Sequence, residues 1–288
     1  MAETSRGGAP VHALTIDVEE HFHALALAPF YPRRSWPALE SRVVGNTLRL
    51  LDLLAELGAR ATFFVLGWVA ERDPGLVRRL VAAGHEVASH GYGHAPLSSL
   101  DREAFRADVA RAKAVLEQAA GVEVRGYRAP SFSLGPSTPW AYAVLAETGH
   151  RYSSSSHPVR AWTYVSASGP RSPVYRDGII EIPVSTLPTR LLGGLPFAGG
   201  AWFRVLPEAW TRYGFALAER SGTAPVVFYL HPWEIDPGQP RPAGLDPLTR
   251  LRHYRGLERS EARLRRLLAR ARFDRLDRVH PALVGAGL

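Results

Sequence analysis

Short runs of apolar, β-branched residues alternate with segments of helical periodicity along most of the chain. The apolar runs predict β-strands, and segments in which apolar positions recur every three or four residues predict α-helices. A glycine closes each of the first four predicted helices, as is common at helix C-termini. The predicted strands are residues 11–18, 61–66, 85–89, 124–128, 179–184 and 226–230, and the predicted helices are residues 41–57, 74–83, 102–120, 139–147, 207–220 and 257–272.

This alternation is typical of an α/β fold with a mostly parallel sheet or barrel. We expect residues 1–10 to form a flexible N-terminus and residues 11–288 a single domain, including a basic C-terminal helical extension over about 241–288. Two loops rich in proline and aromatic residues, 22–39 and 187–204, are long enough to be candidates for a functional role. Chemistry in parallel α/β folds lies at the carboxyl ends of the strands, so polar residues at those positions carry the functional argument.

The net charge of +8, from 35 basic and 27 acidic residues, raises the question of a polyanionic partner. Residues 241–278 contain 12 Arg and five acidic residues, a balance of +7, whereas the rest of the chain carries only +1. This distribution argues against a nucleic-acid-binding surface over the whole protein. The basic helix has two interpretations: its arginines solvate the outer face of a helix with a leucine stripe, or they contact an anion.

The chain contains no Cys, which excludes disulfides, thiolate metal ligands and a cysteine nucleophile. Any metal ion must therefore be held by His and carboxylate side chains. The N-terminus lacks the positive and apolar regions of a signal peptide, and no stretch approaches the ~18 apolar residues of a membrane-spanning helix. We therefore expect a cytoplasmic protein without a transmembrane segment.

Two carboxylates follow the first predicted strand at positions that share one side. Strand side chains alternate with a period of two, so Asp17 and Glu19 point the same way. Carboxylates at the end of an apolar strand cost free energy unless they bind something. The alternative interpretation is a solvated loop start with a helix-capping acid.

Two histidines follow the third predicted strand in the segment SHGYGH. His90 and His94 are four residues apart, and the glycines between them allow a tight turn. One turn brings both imidazoles to one side, which suits a shared metal ion, although two surface histidines at this spacing are also common. Two His and one carboxylate leave coordination positions open, which is the pattern of a catalytic metal site.

Arg128 follows the fourth predicted strand, and His231 follows the last apolar run. Arg128 is placed to pair with a buried carboxylate at the strand ends and keep it ionised. By frequency alone, each residue has a simpler interpretation, a surface arginine and a structural histidine. Together with the carboxylates and the histidine pair, however, they bring four polar groups to the same end of four strands.

The segments TIDVEEHF, SHGYGH, RAPSFS and LHPWEID, in this order, resemble the motifs of NodB-homology polysaccharide deacetylases, which form carbohydrate esterase family 4. The similarity is closest to the subgroup associated with exosortase and exopolysaccharide loci. It extends through EIPVST, AWFR and RHYRGLERSEARLRRLL, over residues 12–273. The resemblance implies a distorted (β/α) barrel of mostly parallel strands, a divalent metal ion, usually zinc, and hydrolysis of N-acetyl groups on amino sugars.

On those motifs, Asp17 matches the catalytic base, Arg128 the residue that holds the base, and His231 the general acid. The metal ligands fall on Glu19, His90 and His94. The resemblance therefore implies that a metal-activated water deacetylates N-acetylhexosamine units of an exopolysaccharide or its precursor, the polysaccharide or oligosaccharide being the partner.

Three departures from the family pattern leave questions open. The family form places two adjacent Asp after the first strand, so Glu20 is an alternative metal carboxylate to Glu19. Ser131 stands where an aromatic residue usually offers its backbone N–H to the oxyanion, and the aromatic Phe132 follows it. The acid that usually orients the catalytic histidine has no clear match, with Glu234 and Asp236 as nearby candidates.

Aromatic and basic residues near these motifs are candidates for contacts with a sugar. Trp202 and Trp233 are predicted to form a wall by stacking on pyranose faces, and Arg204 to reach hydroxyl or carboxylate groups. Ser131 and Phe132 are expected to line the same site, although most aromatics in such a fold pack in its core. Two other functions stay open: hydrolysis of a different C–N bond, in a cyclic amide or a small N-acetylated sugar, and carbohydrate binding without catalysis.

Overall fold

The computed structural model describes residues 9–159, 169–188 and 194–281, so nearly all of the predicted flexible N-terminus lies outside the described residues. The described strands are β1 (Val11–Val18), β2 (Thr62–Val65), β3 (Glu86–Ser89), β4 (Gly126–Tyr127), β5 (Tyr152–Ser153), β6 (Val174–Arg176), β7 (Ile179–Glu181), β8 (Thr186–Pro188), β9 (Gly194–Pro196), β10 (Val227–Leu230) and β11 (Arg272–Asp274). The described helices are α1 (Val43–Glu56), α2 (Gly67–Arg72), α3 (Pro74–Ala82), α4 (Arg102–Ala120), α5 (Trp140–Glu147), α6 (Gly200–Val205), α7 (Glu208–Arg220), α8 (Pro247–Tyr254), α9 (Leu257–Leu268) and α10 (Leu276–Val279).

Nine strands form one sheet in the order β10-β1-β2-β3-β4-β5-β7-β6, with β11 beside the start of β1. Every pairing in this sheet is parallel except that of β6 with β7. The chain beyond β7 approaches the free edge of β10, where the Ser185 N–H donates to the Val227 carbonyl at 3.2 Å. The sheet therefore curves back towards itself, and the predicted α/β fold with a mostly parallel sheet is confirmed.

The register brings the ends of the central strands to one edge. Val18 of β1 lies beside Val65 of β2, which lies beside Ser89 of β3, which lies beside Tyr127 of β4. On the other side of β1, Ile16 lies beside Leu230, the last residue of β10. Residues that directly follow these strands therefore meet at a single edge of the barrel, as the parallel topology requires.

Two element predictions need correction. The last predicted helix was to reach residue 272, but α9 ends at Leu268 and Arg272 begins β11, because Phe273 is buried beside the first residues of β1. The predicted loop 187–204 contains part of β8, all of β9 and most of α6, with residues 189–193 outside the described part. The loop 22–39 contains short 3₁₀ turns, as at Arg33–Ala38.

The arginines of the basic C-terminal segment pair with acids on neighbouring helices. Arg265 bonds Glu56 of α1, and Arg49 of α1 bonds Glu261, so two ion pairs connect α9 to α1. Leu264 and other apolar residues of α9 are buried beneath. These contacts favour a structural role for the basic helix over anion binding. No described helix is both long and apolar enough to cross a membrane.

Candidate active site

Three predicted metal ligands converge at the carboxyl edge of the sheet. A carboxylate oxygen of Glu19 lies 2.6 Å from Nε2 of His94 and 3.7 Å from Nε2 of His90. One ligand atom from each residue lies within 4.8 Å of the others, and all three side chains are buried. The sequence placed these residues 71 and 75 positions apart from Glu19, and the sheet register brings them together.

The cluster has the chemistry of a divalent cation site. Glu19 Oε2 is buried but accepts no hydrogen bond from the described residues, while Trp233 Nε1 donates to Oε1 at 3.1 Å. The Nδ1–H of His90 donates to the Arg128 carbonyl at 2.9 Å, which leaves its Nε2 lone pair facing the cluster. Two imidazole nitrogens and one carboxylate are a ligand set that zinc accepts while keeping a position open.

Glu20, the alternative metal carboxylate, lies outside this cluster. Its carboxylate accepts hydrogen bonds from the Ser41 hydroxyl at 2.7 Å and from the backbone N–H groups of Arg42 and Val43. Those groups mark the start of α1, where free N–H donors favour a negative charge. Glu20 therefore serves the helix terminus, and the geometry leaves Glu19 as the carboxylate of the cluster.

The turn that carries the two histidines is held by an acid that the sequence analysis missed. Gly91 adopts a φ of 74°, and its carbonyl accepts the N–H of Gly67. Asp108 of α4 accepts the N–H of Tyr92 at 2.9 Å. His94 itself has a φ of 52°, a conformation uncommon for residues other than glycine. These tertiary contacts hold the turn that carries His94. No local sequence pattern indicates that Asp108 accepts a hydrogen bond from this turn.

Asp17 is bound by a fully buried arginine. Nη1 of Arg128 donates to Asp17 Oδ1 at 2.8 Å and to the Thr15 hydroxyl at 2.8 Å. Its other nitrogens donate to the carbonyl and hydroxyl of Ser154, at 2.7 and 2.8 Å. Arg128 thus forms an ion pair with Asp17 at the cleft, and Ser154 is a further partner of Arg128 that the sequence analysis did not identify.

His231 lies across the cleft from the metal-ligand cluster, with its Nε2 directed at two carboxylates. Nε2 is 3.9 Å from an Asp17 oxygen and 3.6 Å from a Glu19 oxygen. Burial by itself lowers the pKa of His231, but the surrounding carboxylates outweigh burial and raise the pKa to about 9. A cation bound to Glu19 would offset part of that attraction and lower the pKa again. When the imidazole is protonated, Nε2 carries the proton that faces the cleft, because Nδ1–H is bonded to Glu234.

Glu234 is the acid that orients His231. The Nδ1–H of His231 donates to Glu234 Oε2 at 3.0 Å, and the His231 backbone N–H donates to the same oxygen. The other candidate, Asp236, pairs with Arg42 at 2.6 Å and with Asn46, away from the imidazole. The signal in the sequence was the position of Glu234 three residues after the histidine, where a short 3₁₀ turn brings its side chain back.

Trp233 and Arg204 differ from their predicted roles in sugar binding. The Trp233 ring stacks on His231 and on His253, with centroids 4.9 and 4.5 Å apart. Imidazole rings therefore pack against the indole where a pyranose was expected. The Arg204 guanidinium is buried and donates to Glu234 at 2.6 Å, instead of extending towards a ligand. Both residues line the cleft, but their polar groups are committed to the protein.

The cleft above these groups has an open volume of about 1100 Å³. Ser131, Phe132 and Trp202 line it, as predicted. Ser131 and Phe132 both adopt a φ near 54°, and the Ser131 N–H donates to no acceptor among the described residues. The sequence analysis missed the cleft residues contributed by the loop after β1 and by α8, which are Ala24, Leu25, Ala26, Thr249, Arg252 and His253.

Comparisons with known families divide the chain into two regions. Residues 37–153 match the family described as polysaccharide deacetylase, and residues 154–281 match a domain of unknown function, DUF3473. The pair of Asp17 and Arg128 joins β1 to the first region, whereas His231, Glu234 and Arg204 all lie in the second. The cleft is therefore built from both regions.

Curated relatives match a limited part of the chain. A chitooligosaccharide deacetylase from Sinorhizobium fredii is 44% identical over 85 residues, which are 29% of this chain and 40% of that protein. A peptidoglycan-N-acetylglucosamine deacetylase from Bacillus cereus is 32% identical over 84 residues, 29% of this chain and 30% of that protein. The chain thus spans less than half the length of either relative.

Solved structures share the fold over most of the chain. A Mycobacterium smegmatis protein assigned as a polysaccharide deacetylase has a TM-score of 0.64 at 22% identity, covering 98% of this chain and 92% of that one. An allantoinase has a TM-score of 0.63 at 18% identity, covering 96% and 90%. At these identities the similarity is one of fold. The closer similarity to the exosortase-associated subgroup stays a prediction. The comparisons thus relate residues 37–153 to polysaccharide deacetylases and residues 154–281 to a domain of unknown function.

Proposed function

We propose that this protein is a metal-dependent hydrolase that removes N-acetyl groups from N-acetylhexosamine units of an exopolysaccharide or its precursor. The observation that carries the proposal is the convergence of a base, an acid and a buried two-His, one-carboxylate cluster on one cleft. The names of the curated relatives, deacetylases of chitooligosaccharides and of peptidoglycan N-acetylglucosamine, support the substrate class.

Glu19, His90 and His94 would hold the divalent cation, for which zinc suits the ligand set best. When bound, such a cation supplies Lewis-acid polarisation of the amide carbonyl and activates a water molecule. The protein fixes the orientation of its ligands through the bonds from His90 to the Arg128 carbonyl and from Trp233 to Glu19.

Asp17 acts as the general base. Arg128 binds Oδ1 of Asp17, while Oδ2 lies on the side of His231 and the cleft. As the oxygen of water bonds to the acetyl carbon, Asp17 accepts the proton that the water loses. Ser131 lines the cleft, and its N–H donates to the oxyanion that develops on the acetyl oxygen.

His231 acts as the general acid. Its Nε2 proton passes to the amide nitrogen as the C–N bond breaks, so that the amine leaves in a neutral form and the acetyl group leaves as acetate. The bond to Glu234 holds the proton on Nδ1 and directs Nε2 into the cleft. Protonation at this step matters because an unprotonated amide nitrogen is a poor leaving group.

Acetate release from N-acetylglucosamine oligomers tests the proposal. Protein stripped with a chelator is compared with protein reloaded with zinc, and Asp17→Asn with Asp52→Asn, an exposed site that serves as a matched control. We expect activity to return with zinc, to fall about 10²–10⁴-fold in Asp17→Asn, and to be unchanged in Asp52→Asn. Activity that survives complete metal removal would contradict the mechanism.

The same assay separates the other two functions. Hydrolysis of allantoin or another cyclic amide, with no acetate from the oligomers, would favour a different C–N hydrolase on this fold. Binding of the oligomers without any product after long incubation would favour a carbohydrate-binding protein. Acetylated polysaccharides of different linkage, compared by kcat/KM, would then identify the preferred polymer.

A further inference from the structure

Arg204 is a buried cation that contacts neither the base nor the metal-ligand cluster. Its side chain is about 1% exposed and lies on α6, in the DUF3473 region. The guanidinium forms a 2.6 Å ion pair with Glu234, the residue that orients His231. Burying two charges is favourable only with close geometry and further hydrogen bonds, so this pair is held by more than its mutual attraction.

We propose that Arg204 is a positioning residue for the general acid. By fixing Glu234, it holds His231 in the orientation that delivers a proton to the leaving amine. The inference rests on the proposed function, because a leaving amine is what makes the acid necessary. It also assigns a role to the DUF3473 region, which would supply the acid together with the parts that hold it in place.

The carboxylate of Glu234 is held at both oxygens. Oε2 accepts two hydrogen bonds from His231, one from the ring and one from the backbone. Oε1 accepts a hydrogen bond from Nε of Arg204 and from no other group among the described residues. Removing the guanidinium would therefore leave Oε1 buried without a donor, and the carboxylate would be free to rotate away from the imidazole.

Arg204 is itself held from the opposite side. Its Nη1 donates to the carbonyls of His253 and Arg255 at 3.0 and 2.9 Å, and its Nη2 donates to the carbonyl of Arg252 at 3.2 Å. These carbonyls lie at the end of α8, where a helix lacks intrahelical donors and favours a positive charge. Nη1 of Arg263, on α9, donates to the backbone carbonyl of Arg204 and so connects α6 to α9. The guanidinium thus connects the acid to a rigid anchor.

The choice of leaving group separates this role from a general loss of structure. An N-acetyl sugar must release an amine, which needs the proton of His231, whereas para-nitrophenyl acetate releases a stable phenolate without one. Base, metal-ligand cluster and oxyanion donor serve both substrates. A defect confined to the acid therefore lowers amide hydrolysis and spares hydrolysis of the activated ester.

Arg204→Met and Arg204→Lys are tested with both substrates, and Arg212→Met, an exposed arginine on α7, is the matched control. We expect Arg204→Met to lower kcat for the N-acetyl sugar by about 100-fold or more and kcat for the ester by less than about threefold. Arg204→Lys should recover part of the amide rate, because an ammonium retains the charge beside Glu234. Bound zinc should stay equal to that of the unmodified protein.

An equal loss with both substrates would overturn the inference while leaving the proposed function intact. A wild-type protein that hydrolyses no N-acetyl sugar would overturn both. Arg204→Met leaves Glu234 as an unpaired buried charge, which by itself destabilises the fold. The double variant Arg204→Met/Glu234→Gln lacks that charge and is therefore included. If Arg204 acts through Glu234, the double variant has the amide rate of Glu234→Gln alone, and multiplied losses would overturn the inference.

Discussion

Opposite ends of the barrel place buried carboxylates in opposite electrostatic surroundings. At the cleft end, Glu234 lies against Arg204, and although burial by itself raises its pKa, the arginine and His231 lower the pKa to about 2. At the opposite end, where β3 begins, Glu86 is also buried but receives hydrogen bonds from the hydroxyls of Thr62 and Tyr152. Burial and the charge of Asp277 raise the pKa of Glu86 to about 7.

The difference teaches what the arginines of the cleft do. Burial alone drives a carboxyl group towards its neutral form, and hydroxyl donors do not reverse that tendency. The guanidinium of Arg204, 2.6 Å from Glu234, does so for that carboxylate, and Arg128 forms an ion pair with Asp17 at 2.8 Å. At the other end of the barrel, Glu86 has hydroxyl donors and serves as a hydrogen-bonding link between strands.

The largest expected effect comes from removing an arginine beneath the cleft. Arg128→Met leaves Asp17 charged, buried and unpaired, so we expect the free energy of unfolding to fall by about 3–5 kcal/mol. Urea denaturation measures the change. Arg125→Met is the control, because Arg125 forms only an exposed pair with Glu123, which contributes about 0–1 kcal/mol. Equal costs for the two variants would mean that the buried pair is not what stabilises this end.

A smaller effect concerns Glu19, a cleft carboxylate whose partners are histidines instead of an arginine. Burial raises its pKa, but the neighbouring His94 and His231 lower the pKa well below its usual range. Zinc at about 100 times its Kd should add about 2.7 kcal/mol to the free energy of unfolding.

Thermal and urea unfolding with and without zinc measure this gain. Glu19→Gln should abolish it, and Glu20→Gln, which alters the cap of α1, should preserve it. The reverse pattern would make Glu20 the metal carboxylate.

The smallest effect tests the opposite end of the barrel. The pKa of Glu86 is higher in the folded protein than in the unfolded chain, so the folded state binds the extra proton. Its contribution to stability is complete below about pH 4.5 and is lost as pH rises to about 7. The gap between the two pKa values corresponds to about 1.4 kcal/mol per unit, and because Glu86 is half titrated at each end of the window, we expect a loss of about 2.5 kcal/mol across it.

Urea unfolding at several pH values measures that slope. Glu86→Gln should remove this part of the pH dependence, whereas Glu258→Gln, an exposed site, should leave it unchanged. A carboxylate paired with an arginine gives a free energy of unfolding that falls as pH is lowered, which is the opposite dependence. If Glu86→Gln and the wild-type protein show the same pH dependence of unfolding, the proposed difference between the two ends of the barrel is wrong.

Much of the fold could be predicted from local pattern. The first strand, the helix Arg102–Ala120 with Gly121 at its end, and the strand before His231 lie where hydrophobic periodicity placed them. The strand β11 could not be predicted in this way. Its three residues form a strand because β1 offers a free edge beside them, and no three-residue pattern reports such an edge.

The candidate site divides similarly. Period-two alternation placed Asp17 and Glu19 on one side, and the H-x-x-x-H spacing paired His90 with His94. The sequence analysis assigned Trp233 and Arg204 to sugar contacts, because residue type indicates what a side chain can bind but not which groups lie beside it in the folded protein. In the structure, Trp233 stacks on His231 and donates a hydrogen bond to Glu19.

By itself, the sequence determined the order of strands and helices and the kinds of chemistry at the strand ends, since both depend on neighbours along the chain. Only the tertiary structure decided which carboxylate joined the histidines and which arginine met which acid. Asp17 and Arg128 are 111 residues apart, and Glu234 lies 30 residues from Arg204. The physical reason is that a buried charge takes the partner that packing brings within hydrogen-bonding distance, and packing is a property of surfaces that meet only after the sheet has closed.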